Sequence, residues 1–164
     1  MSSLKLEIIQ EKPFASLQEE AFLGLLRTAD CLQRAMHLGI RNQGLTMTQY
    51  NVLRILRGSQ PHGLTCSAIG ERMITAVPDI TRLLNRLKTA RLVSQKRDSR
   101  DRRAVWTQIT PEGLNLLRQM DPLIEQLPGK ILRHMQETQL KELIVLLEAA
   151  REPFTQAVDP LRRR

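Results

Sequence analysis

Aromatic residues are scarce in this 164-residue chain, which holds one tryptophan, one tyrosine and three phenylalanines. A core must therefore be built mainly from aliphatic side chains and methionine. Cysteine is nearly absent, and the two present, Cys31 and Cys66, exclude the disulfide framework that staples small exported domains. No apolar run approaches the roughly 18 residues of a membrane span. The stretch MSSLKLEIIQEKPFASLQEE is too acidic and too interrupted for a secretory hydrophobic region. These absences together lead to the expectation of a soluble cytoplasmic protein with no membrane partner. A glycine-rich phosphate loop is also missing. His37, His62 and His134 lie far apart, with no Ser, Cys or carboxylate at triad-like spacing. His62 and Cys66 are four residues apart, but two ligands do not close a zinc site. The expectation is a protein that is not an enzyme and that takes no metal and no cofactor.

Basic charge is what the chain has in excess. The net charge is +8, and residues 72–103 hold ten of the 25 Lys and Arg residues against three of the 17 acids. About one-fifth of the sequence thus carries nearly all of the imbalance. Such a block is either a solvated face or a surface for a polyanion. The elements that present it decide between the two.

Leu17, Ala21, Leu25, Ala29, Leu32, Met36 and Ile40 step by three or four, predicting an amphipathic helix from Phe14 to about Arg41, ended by Gly44. Thr46 and Gln49 form a capping-box pattern for a helix that stops at Gly58. Ser59 to Gly63 is a loop by its turn residues. Thr65 caps a short helix over Cys66–Met73, with Ile69 and Met73 inward. The next helix begins at Val77-Pro78-Asp79, with Pro78 in the first helical position. Its apolar stripe is Ile80, Leu83, Leu84 and Leu87. The opposite face is centred on Pro78, Arg82, Asn85 and Thr89, flanked by Thr81 and Arg86.

Two strand-like runs follow, Leu92–Lys96 and Val105–Ile109, separated by the basic stretch Arg97–Arg103. Val105, Thr107 and Ile109 share one side, and Trp106 and Gln108 the other. Thr110-Pro111-Glu112 opens a long helix whose period runs to Met135, with a bend or break expected at Pro122 and Pro128-Gly129. A last helix spans about Glu137 to Phe154. Met36, Met47 and Met73 read as core, a residue type that also suits adaptable pocket walls. Cys31 reads as a small packed residue, and Cys66, at a helix start, as a candidate redox-sensing thiol.

A short helix, a second short helix and a hairpin in that order make a winged helix-turn-helix. The fold class expected is mainly α with a short β-hairpin wing, the lobe being flanked by long N- and C-terminal dimerisation helices. Residues 1–44 form the N-terminal dimerisation helix, 45–110 the DNA-binding lobe, and 111–164 the C-terminal helices and tail, all in one intertwined domain. The second short helix fits the major groove of duplex DNA. There Arg82 and Arg86 can donate bidentate bonds to guanine edges or phosphates, and Asn85 can pair with adenine. Thr81 suits phosphate oxygens or a thymine methyl, while Pro78 and Thr89 complete the face. Arginines of the wing tip, Arg100, Arg102 and Arg103, suit a narrow minor groove. A lobe of about 70 residues needs no long flanking helices, so their apolar stripes require cover, from a two-fold partner or from each other.

The strings LTMTQYNVLRIL (45–56), RMITAVPDITRLLNRLKTARLV (72–93), DSRDRRAVWTQIT (98–110) and PEGLNLL (111–117) resemble the MarR-type regulators. The resemblance implies a homodimeric, mostly helical repressor or activator whose terminal helices make the dimer. It also implies a small lipophilic, often phenolic, ligand that loosens DNA binding. Such a ligand would sit between the helices 14–41 and 111–154 and the lobe 45–109. By resemblance Asp101 braces the wing, and an arginine of the Arg102-Arg103 pair enters the minor groove. Arg91 departs from the family pattern, which often has glycine after the recognition helix. The expected function is sequence-specific regulation of transcription at a pseudo-palindromic operator. A non-specific architectural DNA-binding protein and a thiol-based redox-sensing regulator are the alternatives.

Overall fold

Side-chain caps fix where most of the helices begin. The structure, a computed structural model, describes residues 3–42, 44–98 and 104–156. A single helical turn that the sequence does not signal, α1 (Ser3–Glu7), precedes α2 (Leu17–Ile40). The second helix starts after Phe14 because Ser16 Oγ accepts the amide of Glu19 at 3.1 Å and sets the N-terminus there. In α3 (Met47–Gly58) the capping box is complete. The Gln49 amide donates to Thr46 Oγ1 at 3.2 Å, and the Thr46 amide to Gln49 Oε1 at 2.9 Å.

Thr65 caps α4 (Cys66–Arg72), and Thr110 caps α6 (Pro111–Ile131), whose Pro111 stands in the first turn. Between them, α5 (Ile80–Thr89) corrects one expectation. Pro78 is not its first helical residue: Asp79 is the N-cap, with Oδ1 accepting the Arg82 amide at 2.8 Å, so Pro78 lies just outside the helix. An aspartate satisfies an orphan amide, whereas proline only removes one, and the cap decides the register.

The sheet has one strand more than the expected hairpin. The hairpin is β2 (Val93–Arg97) and β3 (Val105–Ile109), and β1 (Leu64–Thr65) joins the other edge of β3 in the antiparallel order β1-β3-β2. Trp106 in the central strand faces Thr65 on one side and Lys96 on the other. Helix α6 is unbroken across Pro122 and Pro128, both exposed, so each missing backbone donor is on the solvent side. It stops at Ile131, leaving Met135 in the turn before α7 (Glu137–Gln156).

One aliphatic core holds the lobe together. It joins Ile40 of α2, Val52, Leu53 and Leu56 of α3, Ile69 of α4, Leu84 and Leu87 of α5, Val93 and Ile109 of the sheet, and Leu117, Met120 and Ile124 of α6. Gly113 allows the start of α6 to press on the hairpin, since a Cβ there would collide with the Leu92 carbonyl and with Ile109. The stripe read for α5 is inward in every case: Leu84 and Leu87 are buried, Ile80 and Leu83 half-buried. Burying large aliphatic residues contributes about 1.5–3 kcal/mol each, so this stripe fixes which face of α5 is left outside.

Candidate nucleic-acid interface

Pro78, Thr81, Arg82, Asn85, Arg86 and Thr89 are all exposed. Arg82 and Arg86 form no ion pair among the described residues, so their guanidinium donors are available to a ligand. The Thr89 hydroxyl is already committed, donating to the Asn85 carbonyl at 3.0 Å within its own helix. Lys88 in the last turn of α5 and Arg91 just past its end extend the basic surface, and Lys96 and Arg97 continue it along β2. The wing-tip residues Arg100, Asp101, Arg102 and Arg103 lie outside the described residues. At the neck of the hairpin the Asp98 amide donates to the Ala104 carbonyl at 2.9 Å.

The end of α5 follows from backbone chemistry. Arg91 adopts φ +60°, the Arg91 amide donates to the Lys88 carbonyl at 2.9 Å, and the Leu92 amide donates to the Leu87 carbonyl at 3.0 Å. This is the Schellman arrangement, with arginine in the left-handed position that favours glycine. The next turn is tied back onto it. Thr110 donates from Oγ1 to the Arg91 carbonyl at 2.8 Å and from its amide to the Leu92 carbonyl at 3.1 Å. The departure at residue 91 therefore changes the strain in the cap and not its form.

A cleft of about 550 Å³ opens between α2, the start of α3 and the segment Met73–Thr75 that leads into α5. Met36, Met47 and Met73 all line it, together with Tyr50, Arg54 and Ile74. No residue of the segment 111–154 does, so among the described residues this cavity is bounded by α2 and the lobe. Arg54 lies over the Tyr50 ring, 5.9 Å from its centroid, and forms no ion pair among the described residues. Arg34, another lining residue, is paired with Asp30 one helical turn away.

Behind the cleft, α3 is fastened to α6. The Tyr50 hydroxyl donates to Asp121 Oδ1 at 2.8 Å, and Arg57 Nη1 meets Asp121 Oδ2 at 2.5 Å. Burial and then the hydrogen bond to the Asp121 carboxylate push the Tyr50 phenol up to about 12. Burial opposes ionisation of Asp121, but its bonds from Arg57 and Tyr50 outweigh this and hold its carboxyl below the usual carboxylate range.

A MarR family model matches residues 43–104. The HTH-type transcriptional regulator MhqR of Bacillus subtilis is 31% identical over 103 residues, covering 62% of this chain and 68% of the relative. The crystal structure of a MarR transcription factor from Planctomyces limnophilus is 36% identical, with a TM-score of 0.65 over 84% of this chain and 99% of that one. This chain belongs to the MarR family. Its fold is also that of Sco3205, a MarR-family regulator from Streptomyces coelicolor solved in complex with DNA. That likeness has a TM-score of 0.79 at 17% identity and covers 93% of this chain and 98% of that one.

In this MarR-family transcriptional regulator the two thiols occupy different settings. Cys66 is half-buried at the start of α4, with Sγ 3.7 Å from Thr81 Oγ1 on α5. Cys31, expected to pack inward, is exposed on α2, because the buried side of that helix falls on Ile40, with Leu32, Ala35 and Met36 half-covered. Sequence reasoning missed Asp98 as a partner of Trp106, whose Nε1 donates to Asp98 Oδ2 at 2.9 Å. It also missed Gln108, which ties the 59–63 loop to the sheet by donating to the Pro61 carbonyl at 2.7 Å. Both pairings were open to a register argument, since Trp106 and Gln108 share the outward face. Among the described residues, no group of three or more His, Cys, Asp or Glu could hold a metal ion, and no helix is long and apolar enough to cross a membrane.

Proposed function

We propose that this chain is a cytoplasmic, non-enzymatic, sequence-specific repressor that binds a pseudo-palindromic DNA operator as a homodimer. The observation that carries the reading is the outward face of α5, where Arg82, Asn85 and Arg86 stand exposed with both guanidinium groups unpaired among the described residues. These are the side-chain types that read guanine and adenine edges in a major groove. The residues 45–110 act as the reading lobe, and residues 1–44 and 111–164 carry the dimer contacts.

Exposed apolar side chains on the terminal helices support the homodimer. Leu17 and Phe22 of α2 are 82% and 61% exposed, and Val145 and Leu146 of α7 are 63% and 66% exposed. A lone soluble chain rarely leaves such surface uncovered. The cleft supports a ligand, which we read as a lipophilic weak acid, often phenolic in such regulators. Its apolar body would lie against the methionines and Tyr50, and its anionic group would meet Arg54.

Selection of duplexes from a random library by the purified protein, followed by competition measured by anisotropy, tests the proposal. The selected duplex should bind at least about a thousandfold more tightly than random duplex. Near-equal affinities would make the protein an architectural DNA binder instead.

A further inference from the structure

Tyr50, Arg54 and Arg57 fall on one stripe of α3, spaced by four and three residues. The stripe runs from the cleft to α6. Tyr50 is buried, its ring forms part of the cleft wall with Arg54 over it, and its hydroxyl donates to Asp121 Oδ1 on α6 at 2.8 Å. Arg57 holds the other oxygen of Asp121 at 2.5 Å without lining the cleft. Among the described residues, Tyr50 is the only cleft residue hydrogen-bonded to α6. Its own helix sends Val52, Leu53 and Leu56 into the core of the lobe, and α6 leads through the turn at Met135 to α7. The content of the cleft and the attachment of the lobe to α6 therefore meet at one side chain.

We propose that Tyr50 is the positioning residue that transmits occupation of the cleft to the setting of α6 against the lobe, by releasing Asp121 when the cleft is filled. The proposal rests on the readings above that the cleft takes a ligand and that the lobe binds DNA. A tyrosine ring is stiff beyond two side-chain torsions, so an occupant that shifts its face shifts the hydroxyl with it. A hydroxyl-to-carboxylate bond is charge-assisted but short in range, weakening beyond about 3.0 Å. A small displacement therefore lifts the hydroxyl off Asp121. Release does not strand the carboxylate, because Arg57 still pairs with it. That second partner lowers the cost of letting go, which suits a junction with two discrete states.

The test measures how far 1-anilinonaphthalene-8-sulfonate, a lipophilic aromatic anion, weakens binding to the duplex that the wild-type protein selects from a random library. At saturation the ratio of affinities without and with the probe does not depend on how tightly the probe binds. The wild type should show a ratio of at least about five. Tyr50→Phe, which keeps the ring and loses the hydroxyl, should show a ratio below about two. Arg57→Met loosens the same junction from outside the cleft and should keep the wild-type ratio, which a merely structural role for Tyr50 would not explain. 3-Fluorotyrosine labels Tyr50 alone, since the chain has one tyrosine. Its fluorine signal should move on probe binding toward its position in Asp121→Ala, where the acceptor is gone. A wild-type ratio in Tyr50→Phe overturns the proposal. So does a ratio lost equally in Arg57→Met, which would assign the effect to the junction as a whole. Met36→Trp supplies an occupant without a ligand, growing into the cleft from its own wall. It should weaken duplex binding about fivefold in the Tyr50 protein and less than about twofold in the Tyr50→Phe background. A probe that does not bind defeats the ligand reading, while Met36→Trp still decides whether Tyr50 transmits, equal losses in both backgrounds overturning it. A protein that selects no duplex defeats the DNA reading instead, and a fluorine signal that neither the probe nor Met36→Trp moves toward the Asp121→Ala position then overturns the proposal.

Discussion

Arg91 holds a left-handed backbone position, φ +60°, at the end of α5, the helix proposed above to read DNA. An L-residue there brings its Cβ toward the following carbonyl, at a cost of about 1–2 kcal/mol. Glycine avoids that strain but gives the unfolded chain more freedom. Arg91→Gly should therefore stabilise the protein by about 0.5–1.5 kcal/mol in urea denaturation. A loss of stability would mean that the arginine side chain supplies more than its backbone costs. On the exposed face of the same helix, Arg82→Ala and Asn85→Ala should each cost roughly 1–3 kcal/mol on a selected duplex and less on random duplex. Equal losses on both DNAs would reassign the two residues to phosphate contacts. Side-chain direction on this helix was legible in the sequence because period alone sets it. The Schellman geometry at Arg91 was not, because arginine hides a position that glycine would have announced.

Helix α3 and helix α6 meet through three side chains that the sequence separates by 64 to 71 residues. Local signals, by contrast, were readable: Thr46 with Gln49, Thr65, and Thr110 with Pro111 mark helix starts through bonds made within four residues. The strand Leu64–Thr65 was not readable, since two residues show no alternation and its partner lies some forty residues away. The cleft was legible in part: a site between the helix 14–41 and the lobe was expected and Met36, Met47 and Met73 do line it, but the wall expected from 111–154 is replaced by the segment Met73–Thr75. The α3–α6 junction has a pH signature of definite sign. Asp121 has a depressed folded pKa, so its contribution is present above the unfolded value of about 3.9 and is lost as pH falls through the lower folded value. Asp121→Asn should thus cost about 1–3 kcal/mol at pH 7, with the gap to wild type closing below about pH 4. Tyr50 has a raised folded pKa, so its stabilisation is complete below about pH 10 and fades as pH climbs toward about 12. Tyr50 is the only tyrosine, so ultraviolet absorbance should show its ionisation near pH 12 in the native protein and near 10 in denaturant. Ionisation near 10 in the native state would mean that the hydroxyl does not meet Asp121 in solution.

Across the whole molecule, the aliphatic core serves the lobe, α6 and the end of α2, and none of its buried members comes from α7. The seventh helix leaves Ile144, Val145 and Leu146 exposed in succession, so its uncovered apolar surface is broader than one stripe. A two-fold partner covers such a surface on both subunits at once, and it also fixes how far apart two α5 helices stand. Consecutive major grooves on one face of a duplex are about 34–36 Å apart, and a dimer must match that spacing to use both lobes. The cleft lies between α2, whose exposed side we assign to the dimer, and the segment leading into α5. A ligand there alters the spacing only if it prefers one arrangement over another, and a coupling of about 1–3 kcal/mol changes operator affinity 5–150-fold. The proposed dimer contact is the first thing to test experimentally. Leu146→Glu enters a two-fold interface twice, and losing two buried leucines should weaken association by about 3–6 kcal/mol. Sedimentation at micromolar concentration should then show a monomer, and binding to a two-half-site duplex should fall to the level of a single half-site. A Leu146→Glu protein that remains dimeric would move the interface off this face of α7, and a wild-type monomer would leave each lobe to read DNA alone.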